Sequence, residues 1–399
     1  MIYVHIPFCR SFCTYCDFYS EVAARCRKAE DARKQEELFG QFTEALVAEV
    51  KVRGCEITDE VNTLYIGGGT PSVLPLRVFE RLLEALDEAG HGGPFDEFTV
   101  EVNPEDILEK GVPYVEGLLK LGVNRISMGV QSFDDGILKF MNRRHDAEAA
   151  KKSYSILETA GVKNISIDLI FGLPQLSDDQ WKETLDKALH ISDSGTPPCH
   201  ISAYQLSVEP GSMLAEMVEK GRFEEATEDL CEHQYSMLCE ALCEAGYHHY
   251  EISNFARPGY EAVHNSAYWR HVPYVGLGPG AHSYLTEGRC EIYGSGHCNA
   301  LERPATRQWN LPDLHAYIAD PASVRESETL DEEQLVLEKI MLALRTDEGI
   351  SASFLEEHCD PDSLERALGS GNLVRTSSGM YRIPESRFFV SDSIITDIV

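Results

Sequence analysis

The chain has 399 residues, 43% of them hydrophobic and 25% charged, with a formal net charge of −31. Length predicts two or three domains around an ordinary globular core. The acidic excess argues against a nucleic-acid partner and against a polybasic grip on anionic lipid, since both need clustered Lys and Arg.

Residues 1–8 (MIYVHIPF) have the length and β-branched content of a buried strand. This apolar run is too short for a signal peptide and lacks a basic flank. No stretch approaches the roughly 20 apolar residues of a membrane helix. The 12 cysteines suit a reducing compartment. The expectation is a soluble cytoplasmic protein without stable membrane insertion, and a homodimer is compatible with this.

Cys9, Cys13 and Cys16 follow the strand at once. Three thiolates spaced x3 then x2 fit one tight loop. Such a loop can wrap a 4Fe–4S cluster, which takes about four thiolates. Three leave one iron without a protein ligand. Zinc is the competitor, but a structural zinc site usually closes with a second Cys or His pair. The chain has no second Cys-x2-Cys.

Helical spacing of Phe39, Phe42, Leu46, Val47 and Val50 predicts a helix within residues 22–52. A second strand over 62–67 runs into Gly67-Gly68-Gly69-Thr70-Pro71. Glycines there let backbone approach a ligand closely and offer N–H groups to it. A helix over 76–86 precedes a third strand, 97–102, that ends at Glu101. A short helix, 115–121, leads to a fourth strand, 123–130, ending at Gln131. A helix over 147–160, closed by Gly161, leads to a fifth strand, 164–171, with Asp168 near its end. A helix over 181–191 leads to the sixth strand, 200–206. Strands alternating with helices imply a parallel sheet with right-handed crossovers. Six repeats are too few for a closed eight-fold barrel. The expected fold is therefore α/β, an open six-stranded partial β/α barrel. Its chemistry should gather at the C-terminal strand ends, where the cysteines, the glycines, Glu101, Gln131 and Asp168 fall.

Residues 209–222 read as a loop and 227–245 as a long helix. Its Cys231, Cys239 and Cys243 are expected to pack as small hydrophobes. Residues 258–295 are rich in Gly, Tyr and His and read as a functional insertion. Helices over 335–344, 350–358 and 363–368, then a hairpin turning at Ser378-Gly379, suggest a winged-helix-like α+β module. Residues 326–399 carry 16 acidic and 6 basic side chains, the wrong balance for phosphates. The expected division is 1–210 for the barrel, 211–325 for its extension and 326–399 for the module.

The opening Tyr3-Val-His5-Ile-Pro7-Phe-Cys9-x3-Cys13-x2-Cys16 resembles that of the radical S-adenosylmethionine (SAM) family. Within it, the sequence is similar to the oxygen-independent coproporphyrinogen III dehydrogenases and their haem-chaperone relatives. The resemblance implies a radical SAM partial barrel and a 4Fe–4S cluster on Cys9, Cys13 and Cys16. It implies SAM chelated by the open iron and split by an electron from the cluster. By match to the family's motifs it assigns SAM contacts to Tyr3, Gly68, Gly69, Thr70, Glu101, Gln131, Arg143 and Asp168. Two departures point to the haem-chaperone branch. Phe18 stands where the porphyrinogen enzymes carry a fourth cysteine, and the chain starts at the cluster strand without their N-terminal extension. His264-Asn265-Ser-Ala-Tyr268-Trp269 matches that branch's motif, and makes His264 the expected haem ligand. His271, His282 and Cys298 are its rivals. The implied role is delivery of haem to a recipient haem protein. The alternative is oxidative decarboxylation of coproporphyrinogen III.

Overall fold

All six strands expected from the sequence form one continuous parallel run. The structure, a computed structural model, describes residues 1–22, 29–58, 60–286, 292–293, 297–298 and 304–399. It places β1 (Ile2–Ile6), β2 (Thr63–Gly68), β3 (Glu97–Val102), β4 (Arg125–Gln131), β5 (Asn164–Phe171) and β6 (His200–Gln205) side by side in chain order. Every neighbouring pair is parallel. The crossovers are α1 (Ala29–Arg53), α2 (Leu76–Glu88), α3 (Pro104–Lys120), α4 (Ala147–Ala160) and α5 (Asp178–Leu189). Helix α3 starts well before the expected 115–121. Its interior Gly111, at φ 66°, and Pro113 break the helical pattern that a sequence reading follows. A further short helix, Met213–Glu219, lies where a loop was expected.

Three short strands, not evident in the sequence, extend the run. After α6 (Glu228–Glu244), β7 (His248–Glu251) and β8 (Asn254–Ala256) form a hairpin whose β8 pairs antiparallel with β6. Helix α7 (Val263–Trp269) follows, and then β9 (Val275–Leu277) pairs parallel with β1 on the opposite edge. Among the described residues the outermost strands, β7 and β9, do not pair, so the barrel is open.

Strand periodicity decides what each face of the sheet does. Leu64, Ile66, Phe98, Val100, Ile126, Met128, Ile165 and Ile167 alternate with polar neighbours and are buried in the main core. Their partners at every second position are Thr63, Glu97, Thr99, Arg125, Ser127, Ser166 and His200, also buried. The sheet thus buries an apolar face under the helices and a polar face in its own concavity. Buried polar groups need partners. Here Ser166 bonds His200 at 2.8 Å, His200 bonds the Tyr250 hydroxyl at 2.8 Å, and Arg125 donates to Asn164 at 3.0 Å.

Beyond β9 the chain makes a three-stranded antiparallel sheet, β10 (His282–Thr286), β11 (Ala305–Asn310) and β12 (Arg325–Leu330). A buried ion pair on α1 staples this extension to the barrel. Arg53 donates to Glu49 at 3.1 Å, to the Gly276 carbonyl at 2.6 Å and to the Ser283 hydroxyl at 2.9 Å. Glu49 also accepts from the Gly278 N–H, Asn310 and Tyr317 at 2.7–2.8 Å. Residues 332–399 follow with helices Glu332–Ala343, Ala352–His358 and Pro361–Ser370. A three-stranded sheet of Ile350–Ser351, Met380–Arg382 and Val374–Arg375 closes the unit. The expected helix over 350–358 is thus a short strand followed by a helix.

Removing one partner of a buried, hydrogen-bonded ion pair strands the other. Glu49→Ala is expected to cost about 3–5 kcal/mol. The exposed Glu44→Ala should stay within about 0.5 kcal/mol of the wild type. Urea unfolding curves of the two variants check this, and equal midpoints would show that the Glu49 network carries no stability.

Candidate functional site

The concave face opens at the C-terminal strand ends into a cavity of about 570 Å³. Cys9, Cys13 and Cys16 line it, together with Gly68, Gly69, Thr70, Glu101, Gln131, Arg143 and Asp168. Two further residues singled out in the sequence do not. Tyr3 belongs to the concave face, but its ring lies 6.1 Å from that of Tyr65 and its hydroxyl bonds His5 at 3.1 Å. His264 lies at the opposite end of the strands. It is 1% exposed, with Nδ1 2.8 Å from the Thr63 hydroxyl and Nε2 3.0 Å from the Tyr268 hydroxyl. Burial, reinforced by the chain's amino terminus, lowers its pKa to about 3. Both ring nitrogens of this expected haem ligand are engaged in hydrogen bonds inside the core.

Helix α7 carries His264 and forms the floor of the barrel. No side chain of its own caps it. The Glu97 carboxylate accepts the N–H groups of Val263 at 2.9 Å and His264 at 3.0 Å. A carboxylate suits the positive end of a helix, and this one fastens α7 beneath β3. Asn265, the next residue, lines the cavity.

The cysteine loop is held from several sides. The N–H of Gly69 bonds the Ile6 carbonyl at 2.8 Å, and that of Thr70 bonds the Phe8 carbonyl at 2.7 Å. The Gly68 N–H goes to Glu101 at 3.2 Å. These amides, expected from the sequence to serve a ligand, are engaged within the protein. Steric approach explains the glycines. A Cβ at Gly69 would meet the Phe8 carbonyl at 2.7 Å and the Cys9 sulfur at 3.1 Å, and Gly68 sits at φ +103° against the His5 ring. Elsewhere on the loop Asn142 donates to the Phe12 carbonyl at 2.6 Å, and Arg10 pairs with Asp106 of α3 at 2.7 Å.

A chain of polar contacts joins two of the cysteines. Cys9 Sγ lies 3.5 Å from the Thr70 hydroxyl, which accepts from Asn103 at 3.1 Å. Asn103 accepts from Arg143 at 2.7 Å, and Arg143 reaches Cys13 Sγ at 3.4 Å. Asn103 stands at the N-cap of α3, where such a side chain ordinarily caps its own helix, yet here it makes no cap bond. Burial pushes the Cys9 thiol up. Burial and the neighbouring Cys13 and Cys9 sulfurs push Cys16 up to about 12. Three thiolates this close need a positive partner. Among the described residues no three His, Cys, Asp or Glu groups converge on one point as ligands of a single metal ion do. A polynuclear cluster would give each of the three cavity-lining thiolates its own iron.

The opposite wall is acidic. Glu101 accepts from the Tyr65 hydroxyl at 2.7 Å, and Ser127 donates to Asp168 at 3.2 Å. Burial raises Glu101 to about 7, with Asp168 adding repulsion, and burial raises Asp168 to about 6. Two carboxyls poised near neutrality would take up charge beside a cationic ligand. Arg143 Nε is buried and has no hydrogen-bond partner. Gln131 is brought in by a break in β4–β5 register and a backbone φ of 67°, unusual for a residue with a side chain. Sequence reasoning missed Tyr65, Asn103, Arg125, Ser127, Ser202 and Tyr204, all in the cavity lining. Except for Asn103, they sit at the same alternate strand positions as Glu101 and Asp168, and that alternation was the available signal.

The Radical SAM superfamily model matches residues 3–188. Over 349 residues the chain is 33% identical to the haem chaperone HemW of Synechocystis sp., covering 88% of this chain and 78% of that protein. Radical S-adenosyl methionine domain-containing protein 1, mitochondrial, of Danio rerio is 31% identical over 391 residues, covering 97% of this chain and 82% of that one. Among solved structures, coproporphyrinogen III oxidase (HemN) from Escherichia coli superposes with a TM-score of 0.73 at 20% identity, covering 99% of this chain and 89% of that one. At that identity the likeness speaks for the fold.

Glu101 and Asp168 set a pH dependence whose sign is fixed. Their ordinary values are 4.5 and 3.8, and folding raises them to about 7 and about 6. Between those limits the folded chain holds protons that the unfolded chain has lost, so stability falls as pH rises from about 4 to 7. In metal-free protein, Glu101→Gln and Asp168→Asn should each flatten that fall, read as unfolding free energy between pH 5 and 8. An unchanged slope in both would mean that neither carboxyl is buried in the apo cavity.

Proposed function

The chain belongs to the radical SAM superfamily, in the family of the HemW haem chaperones, and from that membership we propose that it binds haem and hands it to a recipient haem protein. One observation carries the cofactor part of this reading. Cys9, Cys13 and Cys16 share a single cavity with two buried carboxyls and an unpartnered guanidinium nitrogen. In this reading the three cysteines hold a 4Fe–4S cluster. Glu101, Asp168, Gln131 and Arg143 hold SAM, with Gly68, Gly69 and Thr70 setting the distance between the two. The cluster supplies an iron with no protein ligand, at which SAM can be bound and reduced.

The chain's own residues orient and enclose. Arg143 offers its free Nε to an acceptor such as a carboxylate. Asp168 and Glu101 face a cationic group from the other wall. Asn103 and Thr70 hold the cysteine loop in register. The floor formed by α7 closes the far end of the barrel to water. Among the described residues no helix is long and apolar enough to cross a membrane. Nine described cysteines are free thiols, which suits the proposed cytoplasmic location.

Anaerobically prepared protein should be brown and hold about four irons. Alanine at Cys9, Cys13 or Cys16 should abolish this, while Cys239→Ala and Cys243→Ala on α6 should not. Stoichiometric zinc without iron would overturn the cluster assignment.

Phe18, in place of the porphyrinogen enzymes' fourth cysteine, is 64% exposed. With SAM and a reductant, conversion of coproporphyrinogen III to protoporphyrinogen is therefore expected to be negligible. Robust turnover, read by fluorescence of the oxidised products, would establish the enzyme in place of the chaperone.

A further inference from the structure

A haem chaperone needs a ligand for iron, and the argument that follows rests on the haem-binding reading. His264 has no free ring nitrogen. His271 bonds Glu338 at 3.1 Å and lies flat on Tyr284, ring centroids 4.3 Å apart, 7% exposed. The buried His5, His145, His200 and His249 are bonded to hydroxyl, carbonyl or carboxylate groups. The side chain of Cys298 lies outside the described residues.

His282 differs from all of these. It is the first residue of β10 and is exposed, and among the described residues neither ring nitrogen has a hydrogen-bond partner. Its register partner across the sheet is Trp309. The two rings stack 23° from parallel, centroids 6.1 Å apart, and the indole N–H is held by Glu326 at 3.2 Å. Partial burial, and then Arg307, lowers the imidazole pKa and keeps it neutral, the form that ligates metals.

Its position also fits. His282 follows the C-terminal end of β9, beside the strand that delivers the cysteines. The intervening turn packs on the cysteine loop, since a Cβ at Gly280 would meet Tyr19 Cβ at 3.3 Å. Phe18, next to Tyr19, is exposed and lines the cavity. An available imidazole, an indole and a phenyl ring therefore stand on adjoining segments of the barrel rim. A macrocycle needs such apolar area around its metal bond. We propose that His282 is the protein ligand of haem iron, with Trp309 as its apolar neighbour.

The test is haem titration of the full chain, followed by the Soret band, on wild type, His282→Ala, Trp309→Ala, His264→Gln and His315→Ala. His315 is the control: also exposed, it lies on the helix Leu314–Ala319 whose first N–H bonds Tyr19, and among the described residues its ring stacks on no aromatic side chain. His282→Ala should weaken binding at least tenfold and lose the wild-type Soret position, and free imidazole should restore that position. Trp309→Ala should weaken binding less and keep the position, and His264→Gln and His315→Ala should bind as wild type. Wild-type affinity and spectrum in His282→Ala, or loss confined to His264→Gln or His315→Ala, would overturn the assignment while leaving the chaperone reading intact. Absence of haem binding by the wild type would overturn both.

Discussion

A parallel sheet that turns a polar face into its own concavity must find a partner for every group on it. Ordinary parallel sheets avoid the problem by being apolar on both faces. Here Thr63, Glu97, Thr99, Arg125, Ser127, Ser166 and His200 are all buried on the inner side. At the N-terminal end the debt is settled within the protein. Helix α7 is docked on Glu97, and its His264 takes the Thr63 hydroxyl. Toward the C-terminal end the strands open into the cavity. There burial holds the Glu101 and Asp168 carboxyls above their ordinary pKa range, and the Nε of Arg143 has no hydrogen-bond partner. Closure at one end and openness at the other define where a ligand can sit before any chemistry is assigned.

The cysteine loop depends on the same economy of contacts. Two backbone hydrogen bonds tie Gly69 and Thr70 to the end of β1, which fixes the turn after β2 against Cys9. Side chains then extend the tie through Thr70, Asn103 and Arg143 to Cys13. The loop thus enters the cavity already positioned by three strand ends. A cluster bound there would have few rotamers left to freeze, which lowers the entropic cost of assembling the site.

Much of this was legible in the sequence, for reasons that differ by element. The six parallel strands stood out because each is a compact apolar or alternating run bounded by turn residues. The cysteines stood out by spacing. The short β7, β8 and β9 did not, since three or four residues of strand carry almost no periodic signal and are held by neighbours distant in sequence. The i, i+4 spacing of Glu49 and Arg53 is equally that of a solvent-exposed helix pair. Only the packing of β9 and Tyr317 around it makes it a buried staple. Tyr3 and His264 stood out by motif, but a pattern in the chain does not say at which end of a barrel a side chain will finish.

His264 and His282 show why. In local sequence His264 is the richer candidate, with Tyr268 and Trp269 close behind it. Helical spacing, however, sets His264 and Tyr268 four residues apart on one face, where their side chains meet each other and bond at 3.0 Å. The aromatic company that suggested a ligand pocket is what satisfies the histidine. His282 sits in a plainer stretch, and its aromatic neighbour comes from β11, across the sheet. The turn before it rests on Tyr19, whose carbonyl is held by His5 at 2.8 Å and whose hydroxyl receives the Leu314 N–H at 2.7 Å. The loop that carries the three cysteines and the strand that carries His282 are therefore packed as one unit. A change in the loop on loading its cluster would be felt at the rim where haem is proposed to bind.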